Sequence, residues 1–395
     1  MIARQMSAQL IEAAAQYPAV AVTGPRQSGK TTLCREVFPD HAYANLEKPE
    51  TRRFAMEDPN GFLAQFDKPV ILDEVQRVPD LFSYIMPIVD EHRKMGEFIL
   101  SGSQNFHLQQ AIGQSLAGRC STLKLLPFSF RELNRMRNHD VFGIGDEKPD
   151  MPEAPGDPFA HIFRGGYPPI YDRGIKPTNW YAQYTQSYLE RDVRQLVNVG
   201  DLDTFERFLR LAAGRSGQIL NMDSLANDTG VSPVTVKRWI SLLSASYIVF
   251  LLKPHSRNFN KRLIKTPKLY FYDTGLLCYL LGIRSAENLA FHSQRGAIFE
   301  TYVISELFKS CFNAGIEPPM YYWRDSQGHE IDLVIEDGEK LFPIEIKSGQ
   351  TVSGNMFDAL DYWRALDKTD AGMLVYGGAE NYTRNGIRVR SWAAV

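Results

Sequence analysis

The residues Gly24-Pro25-Arg26-Gln27-Ser28-Gly29-Lys30-Thr31 set two glycines, a lysine and a threonine at the spacing G-x-x-x-x-G-K-[ST], with Thr32 continuing into a helix-like run. Glycines let backbone N–H groups approach phosphate oxygens, and a following helix turns its positive end toward them. In such a loop Lys30 reaches the β- and γ-phosphates and the Thr31 hydroxyl holds Mg²⁺. A second pair, Asp73-Glu74, ends the apolar run Val70-Ile71-Leu72. At the carboxyl edge of a parallel sheet, Asp73 would hold the metal's water shell and Glu74 would orient the water that attacks the γ-phosphate.

A third group lies in HEIDLVIEDGEKLFPIEIKSG, residues 329–349, which reads as two strands joined by Glu336-Asp337-Gly338-Glu339. Charges in buried strands are costly unless something pairs with them, and a metal ion or a phosphate would be such a partner. Strand alternation places Glu345 and Lys347 on one face, away from Ile344 and Ile346, and sets Asp332 opposite Ile331 and Leu333. A further acid, Glu300, shares a helical face with Val303, Ile304 and Leu307.

The fourth group has helix-turn-helix spacing. Residues 221–254 read as two helices joined by Thr229-Gly230-Val231-Ser232, with Ala226, Gly230 and Val236 at the small, turn and apolar positions. The segment KPHSRNFNKRLIKTPK that follows carries six basic residues and no acid: Lys253, Arg257, Lys261, Arg262, Lys265 and Lys268. Such a segment suits an edge lying along nucleic-acid phosphates.

Stepping from these groups to the elements that hold them, the runs 19–23, 69–73, 97–102 and 121–126 are short, apolar and bounded by turn residues. Their continuous hydrophobicity predicts strands covered on both faces, as in a parallel α/β sheet. Residues 138–160, with four prolines and six acids against one lysine, predict an exposed loop or linker. Helical patterns resume at 179–196 and 204–217, and after Pro267 the pattern is mixed.

The first ~135 residues resemble the P-loop ATPases of the AAA+ class, on the motifs GPRQSGKTTL, ILDEVQ and LSGS. That resemblance implies ATP and Mg²⁺, makes Ser101 or nearby Ser103 the polar sensor of the γ-phosphate, makes Arg119 a candidate for the transition-state charge, and raises a homo-oligomeric ring as an expectation. Residues 290–395 are similar to the PD-(D/E)xK nuclease fold in the order of acid-bearing helix, strands with Asp and Glu-x-Lys, helix and strand. This second resemblance implies Mg²⁺ or Mn²⁺ on Glu300, Asp332 and Glu345, with Lys347 activating water. An inactive nucleic-acid-binding relative or a surface salt-bridge cluster stands beside that reading, because Glu330-Ile331 precedes Asp332 where the family pattern has proline.

The expected fold is therefore α/β: a P-loop parallel sheet with helices on both faces (1–137), the 138–160 linker, a helical region (161–217), a winged helix-turn-helix (218–268) and a small restriction-endonuclease-like domain (269–395). A formal charge of −2 over 395 residues requires any nucleic-acid contact to be a local patch. No apolar run approaches a bilayer span. The N-terminus reads as an amphipathic helix rather than a signal peptide, and the scattered Cys34, Cys120, Cys278 and Cys311 read as reduced thiols of a cytoplasmic protein. None of the eight histidines has zinc-ligand spacing. Gly165-Gly166-Tyr167-Pro168-Pro169 reads as a turn, and Tyr188-Leu189-Glu190-Arg191-Asp192 as a solvated helix face. Together these imply a Mg²⁺-dependent ATPase that couples nucleotide state to DNA binding or cleavage. The alternative is a nucleotide-dependent switch that binds DNA or a protein and does not cut.

Overall fold

A computed structural model of the chain describes residues 2–103, 116–138, 150–188, 202–255, 265–368 and 372–395. The chain divides into two units, the first ending at Phe128 and taking in Ala245–Tyr247 and Phe312–Ile316.

The first unit is built on a parallel sheet. Its strands are β1 (Ala19–Thr23), β2 (Ala42–Asn45), β3 (Val70–Asp73), β4 (Phe98–Gly102) and β5 (Cys120–Lys124), in the order β2-β3-β4-β1-β5. All four pairings are parallel. Helices α1 (Ser7–Gln16), α2 (Lys30–Val37), α3 (Pro49–Glu57), α4 (Pro59–Ala64) and α5 (Leu81–His92) accompany it. β1, β3 and β4 are buried throughout, which is why their sequences are apolar at every position rather than at alternate ones. β2 was not expected from the sequence, since AYAN is short, half exposed and at the sheet edge. Leu72, Leu100, Phe82 and Ile85 belong to the core of this unit. Because every strand runs the same way, the chain leaves β1, β3 and β4 at one edge of the sheet, and the residues next in sequence, Gly24, Glu74 and Ser103, gather there.

In the second unit, helices Pro158–Arg164, Pro168–Asp172, Pro177–Tyr188 and Leu202–Ala213 precede β6 (Gln218–Ile219). Two further helices, Met222–Thr229 and Pro233–Ala245, are joined through Gly230, whose φ of 81° is a left-handed conformation that glycine adopts without strain. β7 (Val249–Leu252) and β8 (Lys268–Phe271) then form an antiparallel hairpin with β6 alongside β8. The expected boundary at 268 thus falls on the first residue of β8 and would cut the hairpin. Beyond β7 the backbone also bonds to the C-terminal sheet, through His255 N to Tyr322 O and Tyr322 N to Lys253 O.

That sheet has the order β13-β14-β12-β11-β10-β9. Its strands are β9 (Met320–Arg324), β10 (Glu330–Asp337), β11 (Lys340–Lys347), β12 (Met373–Tyr376), β13 (Tyr382–Arg384) and β14 (Ile387–Ser391). Helix Arg295–Asn313 precedes the sheet, and helix Asp358–Asp367 sets Leu360 and Trp363 into a core with Trp323, Ile331 and Leu374. Of the expected turn Gly165–Pro169, Gly166 is a bend and Pro168 and Pro169 open a helix, and Asp273 accepts from Gly166 N and Tyr181 Oη. The four cysteines form no disulfide. Among the described residues, no helix is long and apolar enough to cross a membrane.

Candidate functional site: a phosphate cradle and a lysine-filled carboxylate cluster

The glycine loop joins β1 to α2. A side chain at Gly24 would place its Cβ 2.1 Å from the Leu125 carbonyl oxygen, and Gly29 has φ 95°, so both positions require glycine. Arg4 braces the loop from outside by donating to Ser28 O at 2.8 Å and Leu126 O at 2.7 Å. Lys30 is buried, and its ammonium donates to the loop's own carbonyls at Gly24 (3.0 Å) and Pro25 (2.8 Å). Burial pushes the Lys30 amine down to about 8, partly offset by Glu74 and Asp73. Ser28 Oγ is buried with no hydrogen-bond partner.

Two strand ends complete the site. Asp73 accepts from Thr31 Oγ1 at 3.0 Å, from Tyr43 Oη at 2.9 Å and from Ser101 Oγ. Glu74 accepts from Gln76 Nε2 at 2.5 Å and Ser103 Oγ at 3.2 Å. These residues fit a metal-bound triphosphate. The loop leaves a polar atom unmatched and a lysine ammonium folded onto carbonyls, while Thr31 stands against the carboxylate that a metal's water shell would use. Gly24 to Thr32, Asp73, Glu74 and Ser101 are thus gathered at one sheet edge.

Arg119 is not among them. Its carbonyl accepts from Ala19 N at the start of β1, the end opposite the cradle, about 16 Å away along five residues of strand. Its guanidinium forks onto Asp90 at 2.5 and 3.0 Å. In its own chain Arg119 is a surface ion pair.

In the second unit, the charges of Asp332, Lys347 and Glu300 act on Glu345, and Asp332 Oδ2 accepts from Ile346 N at 2.9 Å. Glu345 is held well above the usual carboxylate range by burial and by the Asp332 charge beside it. The metal ion expected there is not shown, and two lysines stand among the carboxylates. Among the described residues, no three His, Cys, Asp or Glu side chains are grouped to hold a metal ion. Lys347 pairs with Glu345, and Lys268 pairs with Glu300 at 3.2 Å and Glu330 at 2.5 Å. Tyr270 also donates to Glu300, at 2.5 Å. Two ammoniums thus stand among four carboxylates, and Glu345 Oε2 is buried with no hydrogen-bond partner among the described residues.

Lys268, expected on nucleic-acid phosphates, is therefore an interior residue with 2% exposure. Lys253 and Lys265 are exposed, as are Lys237 and Arg238 on the helix after the Gly230 turn. Arg257, Lys261, Arg262 and Arg191 lie outside the described residues. The sequence reading missed Arg4, Tyr43 and Gln76. No motif marks the first two, and the signal for Gln76 was its place as the last residue of the motif ILDEVQ.

Residues 16–134 match the family described as an AAA domain, and residues 157–287 and 295–394 match two domains of unknown function, DUF8612 and DUF4143. The chain is 32% identical over 365 residues to the uncharacterized protein Rv2008c of Mycobacterium tuberculosis, a match covering 90% of this chain and 77% of that one. It is 22% identical over 334 residues to the uncharacterized protein MJ1544 of Methanocaldococcus jannaschii, covering 80% and 71% of the two chains. A solved Walker-type ATPase of Pyrococcus abyssi aligns with a TM-score of 0.43 at 15% identity, over 71% of this chain and 96% of that one. The chain belongs to the family of the Mycobacterium tuberculosis protein, and its own order is an AAA-type P-loop ATPase domain followed by two domains of unknown function.

Proposed function

We propose that the first unit binds ATP with Mg²⁺ at the Gly24–Thr32 loop and hydrolyses it, and that the second unit receives the resulting change of state. The observation that carries this reading is the meeting of Thr31 with Asp73, and of Glu74 with Ser103, at the edge where the glycine loop opens. Lys30 leaves the loop carbonyls for the β- and γ-phosphate oxygens. Thr31 and Asp73 hold Mg²⁺, which when bound neutralises charge on those oxygens. Ser101 fixes Asp73, and Glu74 takes the proton of the attacking water. Arg119 is paired with Asp90 in this chain, and a homo-oligomer in which a neighbouring copy supplies an arginine is the assembly this reading favours.

Lys30→Ala should abolish nucleotide binding. Glu74→Gln should bind ATP at close to wild-type affinity with phosphate release slowed by a factor of about 100 or more. Phosphate release by purified protein with ATP and Mg²⁺ measures this, and wild-type turnover by Glu74→Gln would remove Glu74 from the chemistry.

A nucleic-acid contact through the second unit is the reading favoured for its output. It is supported by the exposed Lys237 and Arg238 on the helix that begins with Ser232, Pro233 and the exposed Val234, and by Lys253 and Lys265 at the two ends of the hairpin connection. A winged helix-turn-helix reading phosphates would present basic residues on such a helix and hairpin. With Lys268 and Lys347 on its carboxylates, the C-terminal domain fits the non-cutting alternative: a nuclease-like fold that binds without hydrolysing a phosphodiester.

A further inference from the structure

Glu74 and the two residues that touch it form an arrangement that ordinary stability does not explain. Glu74 sits in the left-handed region, φ 56° and ψ 41°, a conformation that costs a non-glycine residue about 1 kcal/mol or more. A single 3-10 turn, Val75–Arg77, follows and folds the chain back, so that the side chain two positions on returns to the Glu74 carboxylate. Gln76 Nε2 donates to Glu74 Oε2 at 2.5 Å and lies 3.5 Å from Ser103 Oγ, which donates to the same oxygen at 3.2 Å. Ser101 and Ser103, two residues apart at the end of β4, thus serve the successive carboxylates Asp73 and Glu74.

Gln76 keeps this contact at its own expense. The residue is 9% exposed, and its amide oxygen is buried with no hydrogen-bond partner. Leaving a buried carbonyl unmatched costs about 1–3 kcal/mol. Turning the amide over would set that oxygen against the carboxylate, so its orientation is dictated by Glu74. Both donors converge on Oε2, and Glu74 Oε1 accepts no hydrogen bond among the described residues. Strain at one residue and an orphaned acceptor on its neighbour are the local violations that functional sites tolerate.

We infer that Gln76 is a positioning residue for hydrolysis: with Ser103 it pins one oxygen of Glu74 and leaves the other as the base. This rests on the ATPase reading above. In the step it serves, the water oxygen bonds to the γ-phosphorus and the bond to the β,γ-bridging oxygen breaks. ADP leaves with that electron pair, and the water's proton passes to Glu74 Oε1. Gln76 acts only through Glu74 and does not contact the nucleotide.

The test uses the full chain in three variants, Gln76→Ala, Gln76→Glu and Glu74→Gln, measuring kcat and KM for ATP across pH and the Kd of a non-hydrolysable ATP analogue. Gln76→Ala should lower kcat by about 10- to 100-fold while KM and analogue Kd stay within about twofold. Gln76→Glu removes the donor and adds a like charge, so the acid limb of its kcat profile should move up by about one pH unit or more. A purely structural role would instead lower melting temperature and weaken analogue binding, with no displacement of the pH profile, and that result overturns the inference. So does wild-type kcat in Gln76→Ala while Glu74→Gln is inert. Turnover by Glu74→Gln, or none by the wild type, would instead remove the ATPase reading, and this inference with it.

Discussion

At the scale of single residues, Lys30 has the sharpest consequence. A buried lysine pushed down to about 8 is charged at neutral pH and neutral well above that value, whereas an anionic ligand needs it charged. The affinity for a non-hydrolysable ATP analogue should therefore be flat below pH 7.5 and roughly 30-fold weaker at pH 9.5. Stability runs the other way. The folded value lies below the unfolded 10.5, so the charged form is disfavoured by folding, and the unliganded protein should gain stability at this site as pH rises from about 8 toward 10.5. Opposite slopes of analogue affinity and unliganded melting temperature across that window are the expected signature. A parallel decline in both would assign the loss to general unfolding. Gly24, Lys30 and Thr31 were legible in sequence as one short spaced motif, and Asp73 and Glu74 as the charged end of an apolar run. Tyr43 and Ser103 were harder, since their partners arrive through strand pairing 30 and 29 residues away.

At the scale of elements, periodicity revealed the buried strands and the paired helices. It failed where pairing across strands decides. Lys268 was read by its company in a basic run, yet it opens β8 and turns inward to Glu300 and Glu330. Local sequence composition cannot distinguish a basic residue of that run that a hairpin turns inward. Replacing Lys268 with methionine leaves Glu300 and Glu330 without that ammonium and should cost about 3–5 kcal/mol. Adding Glu300→Gln should recover part of the loss. Urea denaturation of the two single variants and the double variant would detect the coupling, and simple additivity would show that the pair does not interact. Alanines at the exposed Lys237, Arg238, Lys253 and Lys265 should weaken duplex DNA binding and lower the slope of log K against log salt by up to about four. Fluorescence anisotropy across salt concentrations reads both quantities. An unchanged slope would return those residues to a solvated surface.

At the scale of the whole molecule, an AAA-type P-loop domain precedes two domains whose function is undescribed. The second unit carries a carboxylate cluster in which Lys268 and Lys347 stand. The carboxylates announced themselves in the sequence as charges within apolar strands. Their use did not, because a metal and an ammonium suit the same acids. The central claim is that the glycine loop holds a triphosphate through Lys30. Calorimetric titration of the purified chain with an ATP analogue and Mg²⁺, beside Lys30→Ala, tests it most directly. Saturable binding by the wild type and none by the variant is the expected result, with proton uptake on binding near pH 8. No binding by the wild type at millimolar analogue, or equal binding by both proteins, would contradict it.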